Sequence, residues 1–245
     1  MSGRADGATA GGVATDREWR PMCNLYSLTR GQDAIRAFTG AMRDTTGNLP
    51  LLPAVFPDRL APVVHRAQDG TRELAMMRWG FPPPPNLGGR PVTNIRNLAS
   101  PYWRGWLKPG WRCLVPASSF CEYTDSQPKV PHWFALDPSR PLFAFAGLWR
   151  PWTGMRGTKA EPVEGEHQLY AFLTCPANDV VRPIHAKAMP VLLTTQEECD
   201  TWLEGSTEEA LALQRPLPAE ALQVVATGQR EDGLQEDGPE PSLPF

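Results

Sequence analysis

The chain has 245 residues, of which 41% are hydrophobic and 21% charged, enough for one sizeable core or two small ones. No apolar run approaches the roughly 20 residues of a membrane-spanning helix, so the sequence excludes an integral membrane protein of that kind. Its 27 prolines disfavour a helical bundle, and its formal charge of −3 at first disfavours nucleic acid as a partner.

The charge is unevenly distributed along the chain. Residues 1–21 carry three basic and three acidic side chains, whereas residues 228–245 carry one arginine and five carboxylates. Residues 22–227 therefore have a net charge of +1, and the acidic average comes from the tail. The composition predicts a disordered leader at 1–21, one domain at 22–227 and an acidic, disordered tail at 228–245. The leader lacks the apolar core of a signal peptide, which favours a cytoplasmic protein.

Hydrophobic periodicity predicts one helix and a series of strands. Ile35, Phe38 and Met42 recur at helical spacing and predict a helix near 31–43. Apolar runs of strand length, each bounded by Pro, Gly or Asp, lie at 60–65, 73–79, 112–116, 142–149, 168–174 and 189–194.

Two further helices are predicted near 196–204 and 207–214. Thr195 is followed three residues later by a glutamate, and so is Ser206, which is the capping-box pattern of a helix start. Strands still outnumber helices, and the helices are too few to form a crossover after each strand. The sequence therefore predicts an α+β fold with mixed, mainly antiparallel sheets.

The segment from Leu74 to Cys121 contains no Asp or Glu but many basic and aromatic residues. The basic residues are Arg78, Arg90, Arg96, Arg104, Lys108 and Arg112, and the aromatic ones are Trp79, Phe81, Tyr102, Trp103, Trp106, Trp111 and Phe120. Guanidinium groups pair with phosphates and aromatic faces stack on unpaired bases, so the mixture suits single-stranded nucleic acid. Composition alone equally fits aromatics in a core and arginines on a solvated face.

The cysteines and histidines form no metal or disulfide pattern. The five cysteines include no CxxC pair, and the four histidines are scattered. No nucleotide or flavin motif is present either, so we expect no metal and no cofactor.

Met22-Cys23 opens the predicted domain and offers distinctive chemistry. Removal of the methionine would leave a residue that carries both a thiol and an α-amine, with pKa values near 8.5 and 8. Such a 1,2-aminothiol attacks an aldehyde through the amine to give an imine. The thiol then closes a five-membered thiazolidine in an intramolecular step. The alternative for an isolated Met-Cys pair is a buried structural cysteine.

Five short motifs occur in order along the chain: Met22-Cys23-Asn24-Leu25-Tyr26, Arg78-Trp79-Gly80-Phe81, Thr93-Asn94-Ile95-Arg96, 112–123 (RCLVPASSFCEY) and 184–190 (IHAKAMP). In this order and spacing they resemble the SOS response-associated peptidase (SRAP) family of abasic-site processing proteins. The resemblance runs from Cys23 to about Val225. It implies a single domain of barrel-like sheets with a few flanking helices.

The resemblance also implies an activity. Family members protect abasic sites in single-stranded DNA through a covalent crosslink that ends as a thiazolidine. Carried over to this chain, Cys23 is the nucleophile and Asn94 orients it and the sugar. Glu122 positions the amine and shuttles protons, and His185 acts as an acid and base in opening the sugar and reversing the crosslink. A carboxylate and an imidazole suit both tasks.

Further residues are implied as DNA contacts. Arg96 and Arg104 would bind phosphates, Arg112 would bind a phosphate or lie beside the reactive site, Thr174 would lie near the sugar, and Trp79 would contact DNA. Two of the chain's departures from the family concern expected DNA contacts. Asn24-Leu25 replaces a common Gly-Arg, and prolines at 82–85 replace a further tryptophan that can wedge between bases.

An internal Cys23 has its nitrogen in a peptide bond and cannot form an imine. We therefore expect an active form that begins at Cys23, because translation starts at Met22 or because the leader is cleaved. The expected protein is a monomeric, cytoplasmic DNA-repair enzyme of the SOS response, associated with the nucleoid, with peptidase-type and lyase-type activity. Two alternatives remain: a cysteine peptidase or amidase with His185 as base, and a non-covalent single-stranded DNA binder.

Overall fold

The computed structural model describes residues 23–83, 91–157 and 160–233, and it confirms the α+β class. The strands are β1 (Tyr26–Leu28), β2 (Arg43–Asp44), β3 (Leu52–Val55), β4 (Leu60–Arg66), β5 (Arg72–Trp79), β6 (Asn94–Ile95), β7 (Arg112–Ala117), β8 (Ser119–Tyr123), β9 (Pro131–Ala135), β10 (Phe143–Gly157), β11 (Pro162–Cys175), β12 (Met189–Pro190), β13 (Leu192–Leu193) and β14 (Gln223–Thr227). The helices are α1 (Gln32–Thr39), α2 (Pro101–Arg104), α3 (Gln196–Glu204) and α4 (Thr207–Ala212), with 3₁₀ turns at Pro109–Trp111 and Ala219–Ala221.

Five strands form a barrel. They run in the order β5, β4, β7, β10, β11, and β11 pairs back with β5 in parallel, Leu169 opposite Arg78 and Tyr170 opposite Trp79. The other pairings around the barrel are antiparallel. Closure satisfies the backbone groups that an open edge would leave unpaired. The barrel-like sheet that the resemblance implied is thereby confirmed.

The second sheet has the order β14, β9, β8, β1, β3 and packs against the barrel. Tyr26 of β1, in this second sheet, packs against side chains of the barrel. Its ring lies edge-on to those of Trp79 and Phe145, at centroid distances of 5.2 and 5.6 Å. Its hydroxyl is 2.6 Å from that of Tyr170, so the two sheets share one apolar core with a hydrogen bond inside it.

The predicted helices are present with small changes at their ends. Helix α1 stops at Thr39 because Gly40 takes up the left-handed conformation (φ 68°), so Met42 lies beyond the helix and is exposed. Helix α3 begins at Thr195, whose side chain accepts a hydrogen bond from the Glu198 amide. The complete capping box forms only at α4, between Ser206 and Glu209.

Two strands are longer than the apolar runs that predicted them. Strands β10 and β11 pair without a break from Gly147–Phe172 to Gly157–Pro162. Beyond about Trp149 their residues are largely exposed or half-buried, so no apolar run marks that part of the sequence. The predicted strand at 189–194 is divided into β12, which pairs with β11, and β13, which pairs with β10.

The predicted tail begins too early. Asp232 is buried, its carboxylate pairs with Arg140 at 2.7 Å, and it accepts a hydrogen bond from Ser119 of β8 at 2.6 Å. Residues 228–233 therefore belong to the folded domain, and the remainder of the predicted tail and the leader at 1–21 lie outside the described residues. Within the described ranges, no helix is both long and apolar enough to cross a bilayer.

Candidate active site

The backbone of Cys23 is held at both ends by predicted site residues. Its N–H donates to Glu122 Oε1 at 3.1 Å, and its carbonyl oxygen accepts from Asn94 Nδ2 at 3.0 Å. The cysteine itself is 1% exposed. Three residues that lie up to 99 positions apart in the sequence thus meet at one point.

The two sheets bring these residues together. Cys23 immediately precedes the β1 region, and the amide of Cys121 on β8 donates to the Leu25 carbonyl, which places Glu122 beside Cys23. Asn94 comes from β6, which pairs in parallel with β11 opposite Phe172. The site therefore lies at the junction between the five-stranded sheet and the barrel.

Glu122 is a buried carboxyl group with two polar neighbours. Burial raises its pKa to about 8, although the hydrogen bond from Cys23 N acts in the opposite direction. His185 Nδ1 lies 3.6 Å from Glu122 Oε2 and 3.1 Å from the Ala188 carbonyl oxygen. Because a carbonyl oxygen only accepts, the hydrogen bond to Ala188 implies that Nδ1 carries a proton. A glutamate and a histidine that can exchange protons thus lie beside the cysteine.

The Cys23 thiol is kept in its protonated form. Burial, and then the charge of Glu122, raise the pKa of the Cys23 thiol well above its ordinary value. Its Sγ lies 3.7 Å from the Leu25 carbonyl oxygen and 3.9 Å from that of Cys121, which are the contacts of a thiol donor. In the described part of the chain, no hydrogen bond joins Sγ to His185.

Two residues near Cys23 were not predicted as site residues. Thr93 Oγ1 donates to Asn24 Oδ1 at 3.1 Å and accepts from Asn94 Nδ2 at 3.0 Å. This chain of hydrogen bonds connects the residue after the cysteine to the asparagine that holds its carbonyl. Both residues stand within motifs of the sequence, but nothing in either motif shows that their side chains meet.

Arg96 and Arg104, the predicted phosphate contacts, both lie at the surface. Both are exposed, and each uses one nitrogen on a carbonyl oxygen, that of Lys187 at 2.7 Å and that of Ala99 at 3.3 Å. In the part of the chain that the structure describes, neither forms an ion pair with a carboxylate. Their contact with phosphates stays a prediction.

The structure corrects the predicted DNA contact of Arg112. Its side chain is fully buried, and its guanidinium donates to three carbonyl oxygens, of Leu107 at 2.8 Å and of Trp202 and Gly205 at 2.7 Å each. These bonds join β7 to the end of α3, so Arg112 stabilises the fold, and its buried guanidinium is not exposed to a phosphate.

The structure also corrects the predicted DNA contact of Trp79, for the same reason. It is fully buried, its indole N–H donates to the Thr93 carbonyl at 3.1 Å, and its ring packs against Tyr26 and Phe172.

Thr174 is fully buried as well, and its Oγ1 has no hydrogen-bond partner among the described residues. Its contact with the sugar stays a prediction.

The remaining cysteines and histidines form no second centre. All five cysteines are reduced and buried. Over the described ranges, no group of three or more His, Cys, Asp or Glu side chains is arranged to hold a metal ion.

Comparison with known proteins agrees with the motifs. The abasic site processing protein YoqW of Bacillus subtilis is 29% identical over 185 residues, which are 70% of this chain and 77% of YoqW. YoaM of the same organism, also named an abasic site processing protein, is 32% identical over 148 residues, 55% of this chain and 59% of YoaM.

Solved structures show the same fold. A crystal structure of a protein from Bordetella bronchiseptica superposes with a TM-score of 0.64 at 23% identity, covering 84% of this chain and 98% of that one. A crystal structure of a protein from Bacteroides thetaiotaomicron superposes with a TM-score of 0.63 at 20% identity, covering 82% of this chain and 90% of that one. The family model described as SOS response associated peptidase (SRAP) matches residues 22–230. Since that match takes in both sheets and every residue around Cys23, the chain belongs to the SRAP family.

Proposed function

We propose that this protein processes abasic sites in single-stranded DNA by forming a thiazolidine crosslink through Cys23. The names of YoqW and YoaM, abasic site processing proteins, support the substrate. The observation that carries the mechanism is the position of the Cys23 nitrogen, 3.1 Å from a buried carboxyl group and next to its own thiol.

The first step forms a bond between nitrogen and carbon. With Cys23 as first residue, its neutral α-amine attacks the C1′ aldehyde of the ring-opened deoxyribose and gives a carbinolamine. Glu122 takes up the proton that the Cys23 ammonium releases on becoming the neutral amine, and it donates that proton to the departing hydroxyl. Water leaves, an iminium remains, and Glu122 becomes a carboxylate beside that positive charge.

The second step closes the ring. The Cys23 sulfur adds to the iminium carbon, the C=N electron pair returns to nitrogen, and the thiol proton passes to the Glu122 carboxylate. The carboxyl group is restored, and the net change is the loss of one water. Since the pKa of the thiol is raised, the amine reacts first and the thiol follows within the same residue.

The other site residues position the reactants. Asn94 holds the Cys23 carbonyl oxygen, which fixes the α-carbon against the incoming sugar. His185, within 3.6 Å of Glu122, exchanges protons with it and with the sugar hydroxyl during ring opening and reversal. Arg96 and Arg104 bind the flanking phosphates. We propose that the protein acts as a monomer, in the cytoplasm.

The test compares chains with different N-termini. A chain expressed from residue 22 loses Met22 and exposes the Cys23 amine, whereas a chain expressed from residue 1 keeps that nitrogen in an amide unless it is cleaved. Each is mixed with a single-stranded oligonucleotide that contains one abasic site. We expect a heat-stable and detergent-stable adduct only from molecules whose intact mass shows Cys23 as first residue.

Variants separate the alternative functions. Cys23→Ala and Cys23→Ser both keep the N-terminal amine but lack the thiol, so each is expected to lose the heat-stable adduct and to yield only a reversible imine that borohydride traps. A stable adduct from the uncleaved long chain would rule out the amine mechanism. Cleavage of a peptide substrate by that long chain would instead favour the cysteine peptidase.

A further inference from the structure

A series of aromatic side chains and one arginine leads away from the site along the outside of the barrel. We call it the aromatic ribbon: Phe81, Trp103, Arg150, Trp106 and Trp111. Contacts between neighbouring rings, and between Arg150 and the rings of Phe81 and Trp106, connect its members. The Phe81 and Trp103 centroids are 5.7 Å apart, and those of Trp106 and Trp111 are 5.2 Å apart. The rings come from three separate segments, the end of β5, the α2 region and the 3₁₀ turn before β7.

The ribbon begins at the reactive pocket. Phe81 forms backbone hydrogen bonds with Val92, next to Thr93, whose side chain contacts Asn24 and Asn94. Gly80 makes this approach possible, since at φ 112° an added Cβ would lie 2.6 Å from the Pro91 side chain. The buried start of the ribbon is thus connected to Cys23 through Thr93 and Asn94.

Arg150 of β10 is the centre of the ribbon. Its guanidinium carbon lies 5.2 Å from the Phe81 ring centroid and 5.2 Å from that of Trp106. Two rings therefore hold the cation by cation–π contacts while its in-plane N–H donors stay free. The Nε is buried and has no hydrogen-bond partner among the described residues.

Among the described residues, Arg150 differs from the other enclosed arginines because its guanidinium has neither a hydrogen bond nor an ion pair. Arg78 Nε also lacks a partner, but Arg78 Nη1 donates to the Asp58 carbonyl oxygen. Arg112 donates to three carbonyl oxygens, Arg140 pairs with Asp232, and Arg156 pairs with Asp58. For Arg150, no described carboxylate lies within ion-pair distance. A buried donor that lacks a partner within the protein indicates a ligand that supplies one.

The surroundings of the ribbon favour a polyanion with unpaired bases. The segment that supplies its rings contains no acidic residue from Leu74 to Cys121. Arg104 and Lys108 are exposed beside it, and Trp103, Trp106 and Trp111 are each half-buried, with part of their surface open to solvent. Phosphates bind the cations of such a surface, and bases stack on its rings.

We infer that one arm of the single-stranded DNA, on one side of the lesion, leaves the reactive pocket along the aromatic ribbon. Arg150 binds a backbone phosphate there, and Trp106 and Trp111 stack with bases beyond it. The inference rests on the proposed function for the lesion, but the ribbon itself binds undamaged single strands.

Non-covalent binding tests this directly. A Cys23→Ala chain is titrated onto a fluorescein-labelled 20-nucleotide oligothymidine over a series of KCl concentrations, with anisotropy as readout. We expect Arg150→Gln to weaken binding about tenfold and to reduce the slope of log Kd against log[KCl] by about 0.7, the value for one lost phosphate contact on a single strand. Arg150→Lys keeps that slope and still loses affinity, because an ammonium does not stack as a plane.

The matched control removes a charge elsewhere. Arg36→Gln, on helix α1, is expected to change the Kd less than twofold. Trp106→Leu keeps an apolar side chain and is expected to weaken binding about fivefold or more without changing the salt slope. If Arg150→Gln and Arg36→Gln had equal affinities and slopes in proteins with equal melting temperatures, the ribbon would not be a DNA site.

A second readout separates this inference from the proposed function. With an abasic trinucleotide, which has no nucleotides beyond the immediate neighbours of the lesion, the loss of crosslinking rate in Arg150→Gln should be smaller than with an abasic 20-mer. A wild-type protein that never crosslinks would refute the function and leave the binding result standing. Normal crosslinking together with no effect of Arg150→Gln on the 20-mer would refute only the ribbon.

Discussion

The charge of Glu122 depends on what is bonded to the Cys23 nitrogen. In the described structure that nitrogen is an amide 3.1 Å away, and burial raises the pKa of Glu122 to about 8. When Cys23 is the first residue, the same position holds an amine that is positively charged below about pH 8. An ammonium there favours the carboxylate and lowers the pKa of Glu122 again.

Glu122→Gln should therefore change how stability depends on pH. In the long chain the pKa of Glu122 in the folded state, about 8, exceeds the ordinary value of 4.5, so between these pH values the folded state holds a proton that the unfolded state has lost. The free energy of unfolding is therefore highest below about pH 4.5. It falls as pH rises toward 8, by up to about 1.4 kcal/mol per pH unit. Glu122→Gln removes this slope.

Urea unfolding at pH 5, 6.5 and 8 measures the effect. The difference between the unfolding free energies of Glu122→Gln and wild type should grow in favour of the variant as pH rises. Parallel curves for the two proteins would show that Glu122 titrates normally. In the chain that begins at Cys23, the difference should be smaller because the amine compensates the carboxylate.

At the scale of elements, two arginines of the same basic segment, Arg104 and Arg112, have different structural roles. Arg104 ends α2 and is exposed, whereas Arg112 starts β7 and joins it to the end of α3. Arg112→Met leaves three carbonyl oxygens without their donor and should destabilise the protein by about 3 kcal/mol. Arg104→Met should change stability by less than about 0.5 kcal/mol but weaken DNA binding.

Urea unfolding and oligonucleotide anisotropy, each applied to both variants, check this pair. Arg112→Met, measured where it is still folded, should bind DNA like the wild type. If it lost affinity as much as Arg104→Met did, the buried position of Arg112 would not describe the DNA-bound protein.

Elements were predictable where their residues form a continuous apolar run or carry a helix cap. Ser206 and Glu209 locate α4, and the apolar run at 60–65 locates β4, because local chemistry determines both. The hairpin beyond Trp149 was not predictable, since its pairing depends on the partner strand and not on an apolar run. The sequence placed Asp232 in the predicted tail, because its partners Arg140 and Ser119 come near it only in the folded chain.

At the scale of the whole molecule, the site exists only while both sheets are folded together. Cys23 and Glu122 belong to the five-stranded sheet, and Asn94 is held by the barrel through β11. Crosslinking should therefore disappear at the same urea concentration at which the protein unfolds. Trp133, in the five-stranded sheet, and Trp79, in the barrel, give a fluorescence signal from each part.

The test measures adduct yield and tryptophan fluorescence over one urea series. Coincident midpoints are the expected result. Loss of the adduct well below the fluorescence midpoint would mean that the segment around Cys23 detaches from a barrel that remains folded.

The family motifs made the reactive residues predictable, and the structure brings Cys23, Asn94 and Glu122 together as the resemblance implied. Arg150 could not be found in this way. It lies outside the basic segment of the sequence, and its ring partners come from distant segments that meet only when β10 closes onto β5 through β11.

The two hydrogen bonds that hold the Cys23 backbone also have a stereochemical consequence. With nitrogen and carbonyl both anchored, the α-carbon cannot turn, and the sulfur reaches the iminium carbon by rotation about one side-chain bond. Sulfur therefore adds to a single face of that carbon. The thiazolidine formed in the protein should be one diastereomer at C1′, which NMR of the adduct peptide would show, whereas free cysteine and the same DNA should give both.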